Sequence, residues 1–257
     1  MSDIPRLQAY LRTSAGQRYD TAAVPPFTLF FHPSTDFLHF NYAIPDSPVT
    51  GDVSDALARL YTTFEARGRL PRFEFIEEFS PALPALLRQA GFVEEARQQL
   101  MTCTPSTYQP VPPVAGLTVL ELGPESPLTD VMDYLTAQRL GFDPDSTATT
   151  DPAEAEETRA RRDGRLILLA RMNGEPVAAA GATAPFDGIT ELVGIATRVP
   201  FRRRGIATCL TDLSLRWAFA HGVEIACLTA ADRDAGRVYE RAGFRPVATM
   251  LAYSVQR

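Results

Sequence analysis

The chain contains no lysine; all 25 of its basic residues are arginine. No lysine ammonium is available for binding, catalysis or self-modification, so any anion site must use arginine, backbone N–H groups or helix ends. Cysteine is almost as scarce. Cys103, Cys209 and Cys227 are widely spaced, with neither the density of a disulfide scaffold nor the paired spacing of a zinc site. This usage points to a reducing cytoplasm. The three histidines, His32, His39 and His221, show no ligand spacing either, and no metal is expected. No apolar run approaches the ~18 residues needed to cross a bilayer. The opening MSDIPRLQAYLRTSAGQRYD is polar and lacks the apolar stretch of a signal peptide, so no membrane partner is expected. A net charge of −6 argues against a general nucleic-acid binder.

What remains is a chain of 257 residues, 45% of them apolar, enough for one large domain or two modest ones. The stretch TPSTYQPVPPVAG (residues 104–116) divides it. Pro105, Pro110, Pro112 and Pro113 stiffen the backbone and remove donors that a strand or helix would use. The expected domains are therefore 1–112 and 113–257.

The second part has a clear rhythm. LTVLEL is a strand, and SPLTDVMDYLTAQRLGF opens a helix with Ser126 as cap and Pro127 at the first helical position. The acidic segment from Asp143 through EETRARRDG reads as a loop and a second helix. Asn173-Gly174 and Asp187-Gly188 are hairpin turns between RLILLARM, PVAAAGATA and ITELVGIATRV, because both turn positions need positive φ. Ile206, Cys209, Leu210, Leu213, Trp217 and Ala220 form a helical stripe that Gly222 stops. VEIACLT is a buried strand, Asp232 caps a last helix, and FRPVATMLAYSV closes as a strand. The order is β-α-α-β-β-β-α-β-α-β.

Part of this series occurs twice. PRFEFIEEFSPALPALLRQAGF (residues 71–92) lies without a gap over residues 223–244, ending in LLRQAGF and VYERAGF respectively. FTLFFHP, FLHFNYAIP and SDALARLYTTFEARG upstream suggest two strands and a helix. The shared order of elements implies a worn internal repeat. The later copy has Tyr239 where the earlier has Leu87.

The most informative stretch is ATRVPFRRRGIATCL (residues 196–210), a strand-to-helix turn. Gly205 and small Ala207 let backbone N–H groups approach a ligand, and the helix N-terminus offers unpaired donors. Arg202, Arg203 and Arg204 add full charges where the dipole already favours an anion, which suits a pyrophosphate.

At these residues the sequence resembles the GNAT acetyltransferase superfamily. Arg202-x-x-Gly205-x-Ala207 matches that family's R/Q-x-x-G-x-G/A coenzyme A loop. Asp232, Ala235, Tyr239, Gly243 and Phe244 have the spacing of its N-x-x-A-x-x-x-Y-x-x-x-G-F helix, with aspartate in place of the usual asparagine. The resemblance covers residues 117–255 in element order. It implies an α/β (α+β) GNAT fold, a mixed, mostly antiparallel sheet flanked by helices, with a partial second GNAT-like repeat at the N-terminus.

It also implies roles. The coenzyme would be held by Ile195, Ala196 and Thr197 on a splayed strand, by Arg202, Arg203, Arg204, Gly205, Ile206, Ala207 and Thr208 in the loop, and by Asp232. Tyr239 would protonate the leaving thiolate, a phenol of pKa ~10 being reasonably matched to an alkyl thiol. Glu191 is one candidate base; a water chain, Glu74, Glu77 or Tyr42 are others. The implied activity is acetyl-CoA-dependent transfer to the amine of a small molecule or peptide by direct attack, in a monomer or homodimer. The alternative is a catalytically weak acyl-CoA sensor or interaction module. The first half lacks the loop and the tyrosine, so it is expected to bind no coenzyme and instead to complete the fold or shape the acceptor pocket. Many relatives also carry a second terminal strand, and the first half is expected to replace that sheet edge.

Overall fold

The computed structural model describes residues 3–160 and 164–256; the end of the expected second helix, at residues 161–163, lies outside them. In chain order the elements are α1 (Ile4–Gly16), β1 (Asp20–Val24), β2 (Phe27–Phe31), β3 (Tyr42–Pro45), α2 (Ser54–Glu65), β4 (Arg72–Ile76), α3 (Leu83–Gln89) and β5 (Val93–Cys103). Then follow β6 (Leu117–Glu121), α4 (Leu128–Phe142), α5 (Pro152–Ala160), β7 (Leu166–Met172), β8 (Glu175–Ala182) and β9 (Ile189–Thr197). The chain closes with α6 (Ile206–Ala220), β10 (Ile225–Ala230), α7 (Arg233–Glu240) and β11 (Arg245–Ser254). The expected order of the second part is present. Helix α4 starts one residue late: Pro127 is its N-cap, and Ser126 Oγ accepts instead from the Gly123 N–H at 2.9 Å.

Two compact units do not follow a single cut in the chain. The first comprises residues 1–100, 229–232 and 246–257, and the second residues 101–228 and 233–245. The first unit's sheet runs β1-β2-β3-β4-β11-β5. Strand β3 is parallel to β4 at Ala43↔Phe73, and α2 connects them. The last strand of the chain, β11, lies antiparallel to β4 from Met250↔Ile76 to Ser254↔Arg72. Its alternation sends Leu251 and Tyr253 into the apolar core with Phe73, Phe75, Leu60, Phe64 and Leu87. On the other face of β4, Arg72 is only 4% exposed and its charge is matched by Glu74 and Glu95 at 2.5 and 2.8 Å.

The second unit's sheet runs β10-β9-β8-β7-β6. All its recorded pairings are antiparallel except β9 with β10, which α6 joins as a parallel crossover. Both Asn-Gly and Asp-Gly turns have positive φ at each position, 53° and 83° at Asn173-Gly174 and 49° and 70° at Asp187-Gly188, as tight hairpins require. The proline-rich segment has no helix or strand and is pinned down by Asp212 of α6. That buried carboxylate accepts from Tyr108 Oη at 2.6 Å and from the Val111 N–H at 3.2 Å.

The repeated helix ends share one hydrogen-bond pattern. Phe92 N–H donates to Leu87 O at 3.0 Å, and Phe244 N–H to Tyr239 O at 3.2 Å. Gly91 (φ 86°) and Gly243 (φ 104°) supply the left-handed residue that such a stop requires. Together with the parallel β-α-β-α order in each unit, this makes the first unit a second, partial copy of the fold.

Candidate active site

Strand β9 carries an irregularity at its centre. Its register against β8 passes from Gly181↔Val193 to Ala179↔Ala196, three steps on β9 against two on β8. The extra residue is a β-bulge, and Gly194 takes φ 65° within it. On its other side, β9 pairs with β10 from Ile189↔Ile225 to Glu191↔Cys227. Among the described residues, the pairing recorded with β10 stops there. Ile195, Ala196 and Thr197 therefore stand on the part of β9 that leaves β10. Thr197 Oγ1 is buried without a hydrogen-bond partner.

After β9 a short 3-10 turn (Val199–Phe201) leads into the arginine loop. Gly205 is the N-cap of α6 with φ 81°, and no side chain caps this helix. The N–H groups of Ile206, Ala207 and Thr208 begin the helix and so have no carbonyl four residues back. A Cβ at Gly205 would meet only Val114 Cγ2, at 3.6 Å. The turn therefore presents uncapped donors, a positive dipole end and open space.

The three arginines divide their work. Arg202 donates from Nε to Thr197 O at 3.0 Å and from Nη2 to Gly141 O at 2.8 Å, so it fastens the loop to β9 and to the end of α4. Arg204 lies over the Phe201 ring at 5.5 Å. Arg203, exposed and held at φ 64°, projects from the tip of the loop.

Tyr239 is half-buried on α7, edge-on to Phe244 with ring centroids 6.1 Å apart. Leu87, its counterpart in the repeat, is fully buried in the first unit's core. Asp232, exposed, directly precedes α7. Glu191 is half-buried at the last β9–β10 pair, its N–H donating to Thr183 Oγ1 at 3.0 Å. Cys227 faces it across that pair. Complete burial and then the Glu191 charge push this thiol well above its ordinary range, which argues against a covalent acetyl-cysteine. The other candidate bases have their own partners: Glu74 accepts from Arg72, Glu77 from Arg97, and Tyr42 packs against Phe30. His221 is the C-cap of α6, its ring tilted against that of Trp217. Asp143, Asp145, Asp151, Glu154 and Glu156 are exposed, in keeping with a solvated face.

Sequence reading missed Gly194 and the α4 residues facing it, although a glycine inside VGIAT is a signal for a bulge. It also missed why Gly243 is glycine: a Cβ there would lie 2.2 Å from Thr107 O.

The first unit differs at the matching place. The loop before α2 turns inward, burying Val49, whose N–H donates to Ser80 Oγ at 3.0 Å. Asp52 stands at the entrance to α2, where α6 has its arginines. Hydrogen bonds from Ser54 hold the Asp52 carboxyl below its usual range, so it is anionic at neutral pH. A cavity of about 360 Å³ between α2 and α3 is lined by Asp52, Leu57, Tyr61 and Leu86, and offers a phosphate no cation.

A mixed sheet, a bulged strand leaving its parallel neighbour, and an uncapped helix after an arginine-glycine turn define an α/β domain with a loop suited to an anion. Residues 128–244 match the acetyltransferase (GNAT) family. The fold of the whole chain is similar to that of a GCN5-related N-acetyltransferase from Kribbella flavida, with a TM-score of 0.82 and 25% identity over 100% of this chain and 97% of that one. A GCN5-related N-acetyltransferase from Sphaerobacter thermophilus shares the fold with a TM-score of 0.62 and 19% identity, over 89% of this chain and 76% of that one. A tandem GNAT protein from the clavulanic acid biosynthesis pathway gives 0.66 and 15%, over 89% and 78%. No curated protein matches the sequence. Proteins of the matched family carry out acyl-CoA-dependent acetyl transfer as their general chemistry. Among the described residues, no helix is long and apolar enough to cross a membrane, and no cluster of three or more His, Cys, Asp or Glu could hold a metal.

Proposed function

We propose that the chain is an acetyl-CoA-dependent N-acetyltransferase that acts on the amine of a small molecule or peptide by direct attack. One observation carries the reading: the uncapped, glycine-started N-terminus of α6 lies directly after the segment of β9 that has left β10. Acetyl-CoA supplies the thioester, whose C–S bond breaks as the amine forms its C–N bond. The N–H groups of Ile206, Ala207 and Thr208 hold the coenzyme's phosphates, with Arg203 and Arg204 adding charge. Ile195, Ala196 and Thr197 hold its pantetheine arm and offer an N–H to the acyl oxygen. Arg202 keeps this loop in place, and Asp232 accepts a hydrogen bond at the start of α7. Tyr239 returns a proton to the departing sulfur, and Glu191, directly or through water, removes one from the amine.

The first unit binds no coenzyme and completes the fold, in a cytoplasmic protein that is a monomer or homodimer. Thiol release from acetyl-CoA, followed across a panel of primary amines, tests the proposal. Amine-dependent release supports it. Saturable coenzyme binding with no release by any amine would leave a sensor in its place.

A further inference from the structure

The β9 bulge is held from outside its sheet. Gln138 on α4 donates from Nε2 to the Gly194 carbonyl at 3.3 Å and to Tyr134 Oη at 3.0 Å. The fit is close: a Cβ at position 194 would lie 2.3 Å from Gln138 Nε2 and 4.0 Å from Tyr134 Oη, so a side chain there would displace the Gln138 amide. Both amide hydrogens of Gln138 are thereby used, and the tyrosine oxygen is an acceptor in this pair. Its own proton faces no acceptor among the described residues. Tyr134 is only 8% exposed. Burial raises its phenol above the ordinary range, so the proton is present at neutral pH. A buried hydroxyl with an unused donor costs stability unless something accepts from it. Its neighbour is the bulge that precedes Ile195.

We propose that Tyr134 donates a hydrogen bond to the acyl oxygen of the thioester bound beside the β9 bulge, and that Gln138 positions both Tyr134 and the bulge. The inference rests on the acetyltransferase reading above. The group that accepts is the acyl carbonyl oxygen, where negative charge develops as the amine attacks. Gln138 acts through others: it holds the Gly194 carbonyl and thereby fixes the backbone that follows.

The test uses the full chain with acetyl-CoA, the best amine of the panel, and coenzyme A alone as binding probe. Tyr134→Phe removes one oxygen and keeps the ring; Gln138→Glu keeps the shape and removes the donors. Each is expected to lower kcat about tenfold, the size of one lost hydrogen bond to a reacting group. Coenzyme A affinity should stay within about twofold of the unaltered protein, and the double variant should lose little beyond either single change, as for residues that act as a unit. An unchanged kcat in Tyr134→Phe, with normal turnover by the unaltered chain, overturns this inference and leaves the acetyltransferase reading standing. A loss of coenzyme A binding equal to the loss of rate overturns it too, because the pair would then be structural. Absence of turnover in the unaltered chain overturns the reading itself.

Discussion

Arg202 donates from Nη2 to the carbonyl oxygen of Gly141 at 2.8 Å, tying the arginine loop to the last turn of α4. The cation also sits where the helix dipole is negative. Arg202→Ala should therefore lower stability by about 1 kcal/mol, roughly 2–4 °C in Tm. Arg203→Ala should leave Tm unchanged and weaken coenzyme A binding, with the difference shrinking as salt is added. Thermal melts and calorimetry at two ionic strengths separate the two roles. Equal effects of both substitutions on Tm would contradict the division of labour.

The two repeat glycines should respond differently to alanine. Gly91 and Gly243 are both left-handed, but nothing lies within 4 Å of a Cβ at Gly91, whereas one at Gly243 would meet Thr107 O at 2.2 Å. Gly91→Ala should cost about 1–2 kcal/mol for the backbone conformation alone. Gly243→Ala adds a backbone collision that would push the proline-rich segment off α7, and should cost more than about 3 kcal/mol. Urea unfolding of both variants gives the comparison.

Residues 113–257 expressed alone should not behave as an independent domain. That fragment leaves β11 without β4, its partner from Met250↔Ile76 to Ser254↔Arg72, and exposes Leu251 and Tyr253, both fully buried in the whole chain. An unpaired apolar strand edge promotes self-association. Size-exclusion chromatography should show aggregates or oligomers. A soluble, monomeric and fully active fragment would contradict the completing role given to the first unit.

Alkaline pH should destabilise the fold through its buried phenols. Burial raises the pKa of Tyr134, and of Tyr253 together with its bond to Glu94. The folded state thus binds these protons more tightly than the unfolded chain. Their contribution is complete below the ordinary phenol value of ~10 and is lost as pH rises through the raised values. Tm should be flat from about pH 7 to 9 and fall above about 10, less steeply in Tyr134→Phe.

Much of the second unit was legible because its signals are local. Asn173-Gly174 and Asp187-Gly188 each demand two positive φ angles, and the α6 stripe and the Gly205 start follow from short-range rules. The first unit was less so. Helix α1 and strands β1 and β5 were not foreseen, since DTAAV and VEEARQQLMTC lack a clean apolar alternation. The placement of β11 beside β4 depends on contacts between residues about 180 positions apart, which no local pattern encodes. At the site, the charges of the arginine loop were visible, but their division was not. Which arginine binds carbonyls depends on where α4 ends in space. Gly194 carried a signal, a glycine within a strand, whereas its partner Gln138 carried none.

The most direct test of a single coenzyme site built by the β9–α6 turn is calorimetric titration of the full chain with acetyl-CoA. The unaltered protein should bind one equivalent, and Gly205→Asp, which places a carboxylate at the helix N-terminus, should bind none. Two equivalents per chain, or undiminished binding by Gly205→Asp, would contradict the account.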